Sequence, residues 1–249
     1  MKHQAAKTAT AETSALAGKP GAEGLVGRTV RAIVDDIRAN GLRKNDLLPA
    51  ENALAAKLGV SRIVVREAHH YLAALGIVEI ANGRAPRVSV PDENVIGMMF
   101  DHVVYTRHVT VQQVLAVRRP LEIRAAALAA MRRTPEQAEQ MVTHAAAMRA
   151  SLSDPDVMRQ HDMALHELIA DASQNPLLAI MIKAFAPVTR QTWPVGWKSR
   201  SEPREQSAMV ACHEAIADAI LQQDVSRAHE AMSQHFDDTV RALVSAGVT

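Results

Sequence analysis

The stretch that most constrains the fold runs from residue 48 to residue 75 and reads LPAENALAAKLGVSRIVVREAHHYLAAL. Its apolar spacing predicts two short helices, with Gly59 as the left-handed residue that ends the first. Ser61 opens the second, because its hydroxyl can accept hydrogen bonds from free backbone N–H groups. Arg62 and Arg66 lie four residues apart and share one face. This pattern is typical of a helix-turn-helix, in which such residues reach base edges; a helical hairpin with solvated arginines is the alternative.

The flanking segments predict a winged form of this motif over residues 25–90. Residues 25–40 carry apolar side chains at helical spacing, and two short strand patterns follow at 77–80 and 87–90. The turn between the strands holds Arg84, where a basic wing tip can contact phosphates or the minor groove. A solvated turn is the alternative for this arginine.

The distribution of charge supports a polyanionic partner for this segment. Residues 25–90 contain ten Lys/Arg and six Asp/Glu, a balance of +4, whereas residues 91–249 contain fifteen and nineteen, a balance of −4. A basic N-terminal half favours nucleic acid. The acidic remainder indicates that DNA does not contact the whole chain.

The second half of the chain is predicted to be all-helical, so the fold class is mostly α. Residues 91–97 are expected to form a linker, and residues 98–249 a bundle of six or seven helices. Seven segments have helical spacing or start signals, near residues 95–108, 111–132, 134–151, 154–172, 177–192, 205–222 and 225–246. The sequence Trp-Pro-Val-Gly-Trp at 193–197 is expected to interrupt the pattern. Hydrophobic residues make up 48% and aromatic residues 3%, which favours close packing through small side chains.

Several classes of protein are disfavoured by the sequence. Cys212 is the single cysteine, so an intramolecular disulfide is excluded and a reducing compartment, the cytoplasm, is expected. No apolar run reaches the ~18 residues that a membrane helix needs, so no membrane partner is expected. Residues 1–24 lack the apolar block of a signal peptide and are expected to form a flexible tail.

Four polar residues on three predicted helices point toward a common interior. Asp162 and His166 lie four residues apart on one face, and His213 and His235 each lie on an apolar stripe of a later helix. One carboxylate and three imidazoles suit a divalent transition ion, with zinc preferred and nickel or manganese as alternatives. Singly, each could be a local ion pair or a hydrogen-bonded core histidine; together they favour a metal site.

Arg118 and Glu122 lie four residues apart on a largely apolar face of the predicted helix 111–132. A buried structural ion pair is one interpretation. The other is an arginine that binds a small carboxylate beside the metal. The sequence leaves both open. Trp193 and Trp197 are likewise open to two roles, in the lining of a pocket or in the core.

The chain resembles the GntR family of bacterial regulators in LLPAENALAAKLGVSRIVVREA and LAALGIVEI. Its second half resembles the FCD-type ligand-binding domain of the FadR subgroup in VRRPLE, AAALAA, DMALHELIADASQNPLL, HEAIADAI and AMSQHF. The resemblance implies a homodimeric transcription regulator, usually a repressor. Such a regulator binds a palindromic operator and is released from it by a small organic acid.

The resemblance also implies roles for individual residues. The subgroup's metal ligands fall on Asp162, His166, His213 and His235, and its effector-binding arginine falls on Arg118. Asn175 is expected to help shape the effector pocket. The residues expected at DNA are Glu51, Asn52, Ser61, Arg62, Arg66 and Arg84. The family usually has Ser-Glu-Arg where this chain has Ala50, Glu51 and Asn52, which alters one contact, although asparagine can pair with adenine.

Two other functions are compatible with the same residues. A regulator could sense the metal ion itself, without an organic effector. A metal-dependent hydrolase or isomerase would need a general base, for which Glu122 is the only candidate. That enzyme would leave the DNA-binding half unexplained, so the sequence predicts a regulator and not an enzyme.

Overall fold

The computed structural model describes residues 24–81 and 84–248. The described residues fall into two compact units that divide between Pro91 and Asp92. Of the tail expected at residues 1–24, all but Gly24 lies outside the described residues.

The first unit contains three helices followed by a two-stranded hairpin, as predicted for a winged helix-turn-helix. Its elements are α1 (Leu25–Ala39), α2 (Glu51–Leu58), α3 (Arg62–Ala74), β1 (Val78–Glu79) and β2 (Arg87–Val88). Gly59 ends α2 with φ of 66°, and the Ser61 hydroxyl accepts from the Val64 N–H at 3.4 Å. Both turn predictions are therefore confirmed. The antiparallel strands pair Val78 with Val88, in a hairpin shorter than the sequence indicated.

The core of the first unit fixes which face of α3 stays outside. Val65 and Leu72 on α3 are fully buried and belong to one cluster with Ile33 of α1 and Leu54 of α2. Because α3 buries this face, its opposite face, which carries the arginines, remains exposed.

The second unit is a bundle of eight helices within residues 92–248. They are α4 (Glu93–Tyr105), α5 (Val111–Arg132), α6 (Pro135–Ala150), α7 (Pro155–Ala172), α8 (Pro176–Ala184), α9 (Ala186–Ser199), α10 (Pro203–Leu221) and α11 (Val225–Ser245). Thr110 and Thr134 form reciprocal capping boxes with the glutamines three residues later. These caps satisfy backbone donors that the first turn leaves free.

Three expectations about this unit are wrong. Residues 93–97, assigned to a linker, form the start of α4, because Asp92 caps the helix by accepting from the Asn94 N–H at 3.0 Å. The bundle also has eight helices instead of six or seven. The segment predicted as one helix over 177–192 divides at Phe185, and α9 runs on through 193–197. Pro194 removes one backbone donor without ending the helix.

Alanine allows the helices of this bundle to approach closely. Ala125, Ala126, Ala129 and Ala130 of α5 are fully buried, and α5 packs against α11, α7 and α10. The large side chains come from the partner helices, among them Phe236 of α11. Among the described residues, no helix combines the length and apolar character needed to cross a membrane.

Candidate functional site

Three histidines from three helices converge inside the second unit. His166 on α7, His213 on α10 and His235 on α11 each offer one ring nitrogen, and these nitrogens all lie within 4.8 Å of one another. All three side chains are buried. The ring centroids of His213 and His235 are 4.5 Å apart, and those of His166 and His235 are 4.9 Å apart. This spacing suits a shared divalent ion.

Hydrogen bonds fix the orientation of two of these rings. His213 Nδ1 donates to Met209 O at 2.8 Å, and His166 Nδ1 bonds to Glu122 Oε2. Each ring is thereby held by Nδ1 and keeps Nε2 for the centre of the cluster. Histidine ligands of metals are usually held in this way by a carboxylate or a carbonyl. The sequence did not predict this role for Glu122.

Asp162 lies beside the histidine group, against His213. Its Oδ1 is 2.7 Å from His213 Nε2, yet that buried nitrogen makes no hydrogen bond of acceptable geometry to any described residue. The contact places the Asp162 carboxylate beside the His213 nitrogen that faces the centre of the cluster. The three histidines could hold a divalent metal ion, and Asp162 lies next to them through its contact with His213.

Burial and neighbouring charges shift the pKa values of several residues in and beside the cluster. Burial would raise the pKa of Glu122, but Arg118 and His166 outweigh it and lower that pKa to about 2. Burial opposes ionisation of Asp162 as well, and His213 lowers the pKa of its carboxyl below the ordinary value. Burial holds the pKa of His235 well below its usual range, which keeps the ring neutral and able to ligate.

Arg118 forms the buried ion pair that was one interpretation of the sequence, and it also faces a cavity. Its Nε and Nη2 contact Glu122 Oε1 at 2.9 and 2.7 Å, so the buried ion pair exists. Its Nη1 donates to the Thr189 hydroxyl at 2.7 Å. The same arginine also lines a cavity of about 60 Å³ together with Asp162, His166 and His235. With both carboxylate oxygens engaged, Glu122 is not a free general base.

Some residues of the cavity wall were predicted from the sequence, and others were not. Trp193 and Trp197 stack with ring centroids 5.5 Å apart and line the cavity, and Trp197 also packs in the core. Arg200 lines the cavity and was not singled out, because it follows a segment predicted to be irregular. Asn175 lies elsewhere: its side chain caps α8 by accepting from the N–H groups of Leu177 and Leu178, and it does not line this cavity.

A concave surface on the first unit gathers five of the six residues expected at DNA. It is lined by residues that include Glu51, Asn52, Arg62, Arg66 and Arg84. Ser61 is not among them and acts as the cap of α3. His70 also lines this surface and was missed, although it follows Arg66 by four residues on the same helix face.

Glu51 and Arg66 form a paired contact on this surface. Arg66 Nε and Nη2 donate to the two carboxylate oxygens at 3.3 and 3.1 Å. This pairing lowers the pKa of Glu51, chiefly through the hydrogen bond. The guanidinium is thus held in one orientation with its outer edge exposed to solvent.

Comparisons with known proteins agree with this two-part organisation. Residues 25–88 match the family described as "Bacterial regulatory proteins, gntR family", and residues 113–238 match the FCD domain. The fold resembles the solved structure of Streptococcus agalactiae GntR, with a TM-score of 0.62, 23% identity, and coverage of 87% of this chain and 99% of that one.

The curated relatives are transcriptional regulators. The putative L-lactate dehydrogenase operon regulatory protein of Escherichia coli is 31% identical over 83% of this chain and 80% of its own length. LutR of Bacillus subtilis, an HTH-type transcriptional regulator, is 29% identical over 82% of this chain and its whole length. These relatives confirm the prediction that the chain is not an enzyme. The chain belongs to the gntR family of bacterial transcriptional regulators and carries an FCD domain.

Proposed function

We propose that this regulator is a metal-containing repressor whose operator binding is controlled by a small carboxylate. The observation that carries the proposal is that Arg118 lines one cavity with Asp162, His166 and His235. The same chain carries a GntR-type DNA-binding segment. An organic anion bound in that cavity would meet both charged elements at once.

His166, His213, His235 and Asp162 would hold the ion. Three imidazoles and a carboxylate favour zinc, with nickel and manganese as alternatives. A bound ion would supply a positive centre for a carboxylate or hydroxyl oxygen of the effector. The chain itself contributes the acceptors Glu122 and Met209 O, whose hydrogen bonds with His166 and His213 orient two of the rings.

Arg118 would bind the effector carboxylate. Glu122 fixes the guanidinium from one side, and Thr189 fixes one terminal nitrogen. A planar arginine fork matches a carboxylate better than a lysine does. The name of the Escherichia coli relative connects that protein to an operon for L-lactate dehydrogenase, which makes small hydroxy acids the first effectors to test.

On the DNA side, a homodimer in the cytoplasm would present two α3 helices to a palindromic operator, one for each half-site. Arg62 and Arg66 are exposed on α3 and lie on the concave surface with Asn52 and Arg84. Effector binding would favour a dimer geometry that fits the operator less well. A coupling of ~1–3 kcal/mol would change operator affinity about 5–150-fold.

The test uses an operator fragment that the purified protein selects from genomic DNA. Operator affinity is measured by fluorescence anisotropy, and metal content by mass spectrometry, for the wild type and three variants. Arg66→Ala should abolish specific binding, at a cost of roughly 1–3 kcal/mol per lost base contact, and keep the metal. His213→Ala should lose the metal, and Arg118→Gln should keep metal and DNA binding but no longer respond to acids.

Other results would favour the alternatives. DNA release that follows metal concentration without an organic acid would indicate a metal sensor. Retained operator affinity in Arg66→Ala would contradict the role of α3 in binding the operator. Normal metal content in His213→Ala would contradict the metal site.

A further inference from the structure

Arg200 places a second guanidinium at the cavity. It follows the last residue of α9, and its Nη1 folds back to donate to Gly196 O at 2.6 Å. Thr189, Trp193, Gly196 and Arg200 follow one another at helical spacing, and all four line the cavity. One face of α9 thus forms a continuous wall that ends at this arginine.

The two arginines stand at different levels of that wall. Arg118 is tied to Thr189, and Arg200 is tied to Gly196. Seven residues separate these two contacts on α9, which corresponds to about 10 Å along a helix axis at ~1.5 Å per residue. A ligand with charged groups at both ends could therefore meet one guanidinium with each.

The charge of Arg200 is not balanced by a direct partner. Among the described residues its side chain makes one hydrogen bond, to Gly196 O, and no ion pair. The acidic groups whose charges act on it are Asp162 first, then Asp238 and Glu205. None of them forms an ion pair with it, since Asp162 contacts His213 and Asp238 accepts from Arg241 at 2.6 Å. Arg118, in contrast, is offset by Glu122. The guanidinium of Arg200 is therefore a positive charge at the cavity that belongs neither to the candidate metal site nor to the Arg118–Glu122 ion pair.

Arg200 also retains unused hydrogen-bond donors in a desolvated position. A guanidinium has five N–H groups, and the bond to Gly196 O uses one. Burial lowers the pKa of this guanidinium, in accord with its partial removal from water. An anion that supplied acceptors here would form charge-assisted hydrogen bonds, which are stronger than neutral ones.

We propose that Arg200 binds a second anionic group, so that the effector is a small dicarboxylate and not a monocarboxylate. This inference rests on the proposed function, since it requires the effector site at Arg118. One carboxylate meets Arg118, and the other meets Arg200. The cavity is small, with a volume of about 60 Å³, which restricts the ligand to a short carbon chain.

The test compares acids that differ only in the second carboxylate. L-Malate and L-lactate share a 2-hydroxycarboxylate end, and succinate and butyrate form a second matched pair. Isothermal titration of the metal-loaded wild type at fixed ionic strength should give a dissociation constant about tenfold to a hundredfold lower for the better dicarboxylate than for its matched partner. Arg200→Gln should abolish that difference by weakening only the dicarboxylate.

Matched variants separate this role from a structural one. Glutamine can still donate to Gly196 O, and monocarboxylate affinity within about twofold of the wild type would show an intact cavity. Arg204→Gln removes an exposed arginine four residues away and should leave both affinities unchanged. Arg118→Gln should weaken both members of each pair.

The outcomes distinguish the inference from the proposed function. Equal affinities within each pair would overturn the role of Arg200, and so would a preference for the dicarboxylate that is unaltered in Arg200→Gln. In either case, weaker acid binding in Arg118→Gln would still support the effector site. If neither pair nor a wider panel of mono- and dicarboxylates bound the metal-loaded protein, the proposed function itself would fail.

Discussion

At the scale of single residues, Arg66 shows how an exposed arginine is prepared for a ligand. A free arginine loses considerable rotamer entropy when it is fixed on a base. Here Glu51 holds the guanidinium through both carboxylate oxygens before DNA arrives. The Arg66 side chain is 56% exposed, so this ion pair contributes little to stability. We therefore expect this ion pair to increase the affinity for DNA.

Glu51→Gln tests this preorganisation. We expect operator affinity to fall about threefold to tenfold, because ordering a rotamer-rich side chain at an interface costs ~0.5–1.5 kcal/mol, while thermal stability changes little. Fluorescence anisotropy with the selected operator measures the effect. Glu67→Gln, which removes an exposed carboxylate from α3, is the control. A higher affinity in Glu51→Gln would mean that the carboxylate acts only by repelling phosphates.

His69 provides a test that depends on pH. Its ring is buried in the first unit, and neither ring nitrogen has a hydrogen-bond partner among the described residues. Burial lowers its pKa; Glu51 opposes this shift and His70 adds to it. The unfolded chain therefore takes up a proton at higher pH than the folded one. Stability is full above the unfolded pKa of about 6.5 and declines as pH falls toward the lowered folded pKa.

We expect the first unit to lose up to ~1.4 kcal/mol of unfolding free energy per pH unit in that window. His69→Leu should remove this dependence, whatever its effect at neutral pH. Hydrogen–deuterium exchange of α3 peptides in the full chain, corrected for intrinsic rates, measures it at several pH values. An identical pH slope in the variant would contradict the assignment to His69.

At the scale of elements, local signals predicted helix starts better than helix ends. Thr110 and Thr134 carry their capping partners three residues away, so the sequence alone contains the information. The break at Phe185 has a local signal in Pro187, which lies in the first turn of α9 and lacks the backbone N–H that would continue α8. Phe185 also stacks on Phe100, 85 positions earlier in the sequence, with ring centroids 4.7 Å apart. Pro194 and Gly196 resemble helix breakers, yet the buried Trp197 holds that segment within α9.

The candidate site follows the same rule. Periodicity placed the three histidines on inward faces, because the spacing along one helix is local information. The hydrogen bond between Glu122 and His166 joins two helices. Arg200 reaches the cavity only because α9 continues through residues 193–197, where an interruption was expected. Such relations depend on tertiary packing, which a single sequence does not display.

Asn175 allows the capping role to be separated from the expected ligand role. Its side-chain oxygen accepts from Leu177 N–H at 3.2 Å and Leu178 N–H at 3.4 Å. Asn175→Ala should destabilise the second unit by ~1 kcal/mol and leave acid affinity unchanged. Urea denaturation followed by fluorescence suits this unit, because both tryptophans lie in it. Asn175→Asp should retain the cap, and a selective loss of acid binding in Asn175→Ala would restore the ligand role.

At the scale of the whole molecule, α4 is the helix that continues directly from the DNA-binding unit. It packs against α8 and α9, and a Cβ at Gly97 would lie 3.0 Å from Ala184 O. Phe100 stacks on Phe185 at the break between those helices. Thr189, bound to Arg118, lies one turn further along α9. An effector that displaced Arg118 would therefore disturb the packing of α4 against α8 and α9.

Phe100→Leu tests whether this contact transmits the signal. Leucine keeps apolar volume but removes the ring stack, so we expect effector and operator affinities to stay within about threefold of the wild type when measured singly. The factor by which effector weakens operator binding should fall from about 5–150-fold toward unity. Met98→Ala, an exposed substitution on the same helix, is the control. Because coupling is reciprocal, DNA must alter effector affinity by the same reduced factor. Full coupling in Phe100→Leu would exclude this contact as the route, even if both sites function as proposed.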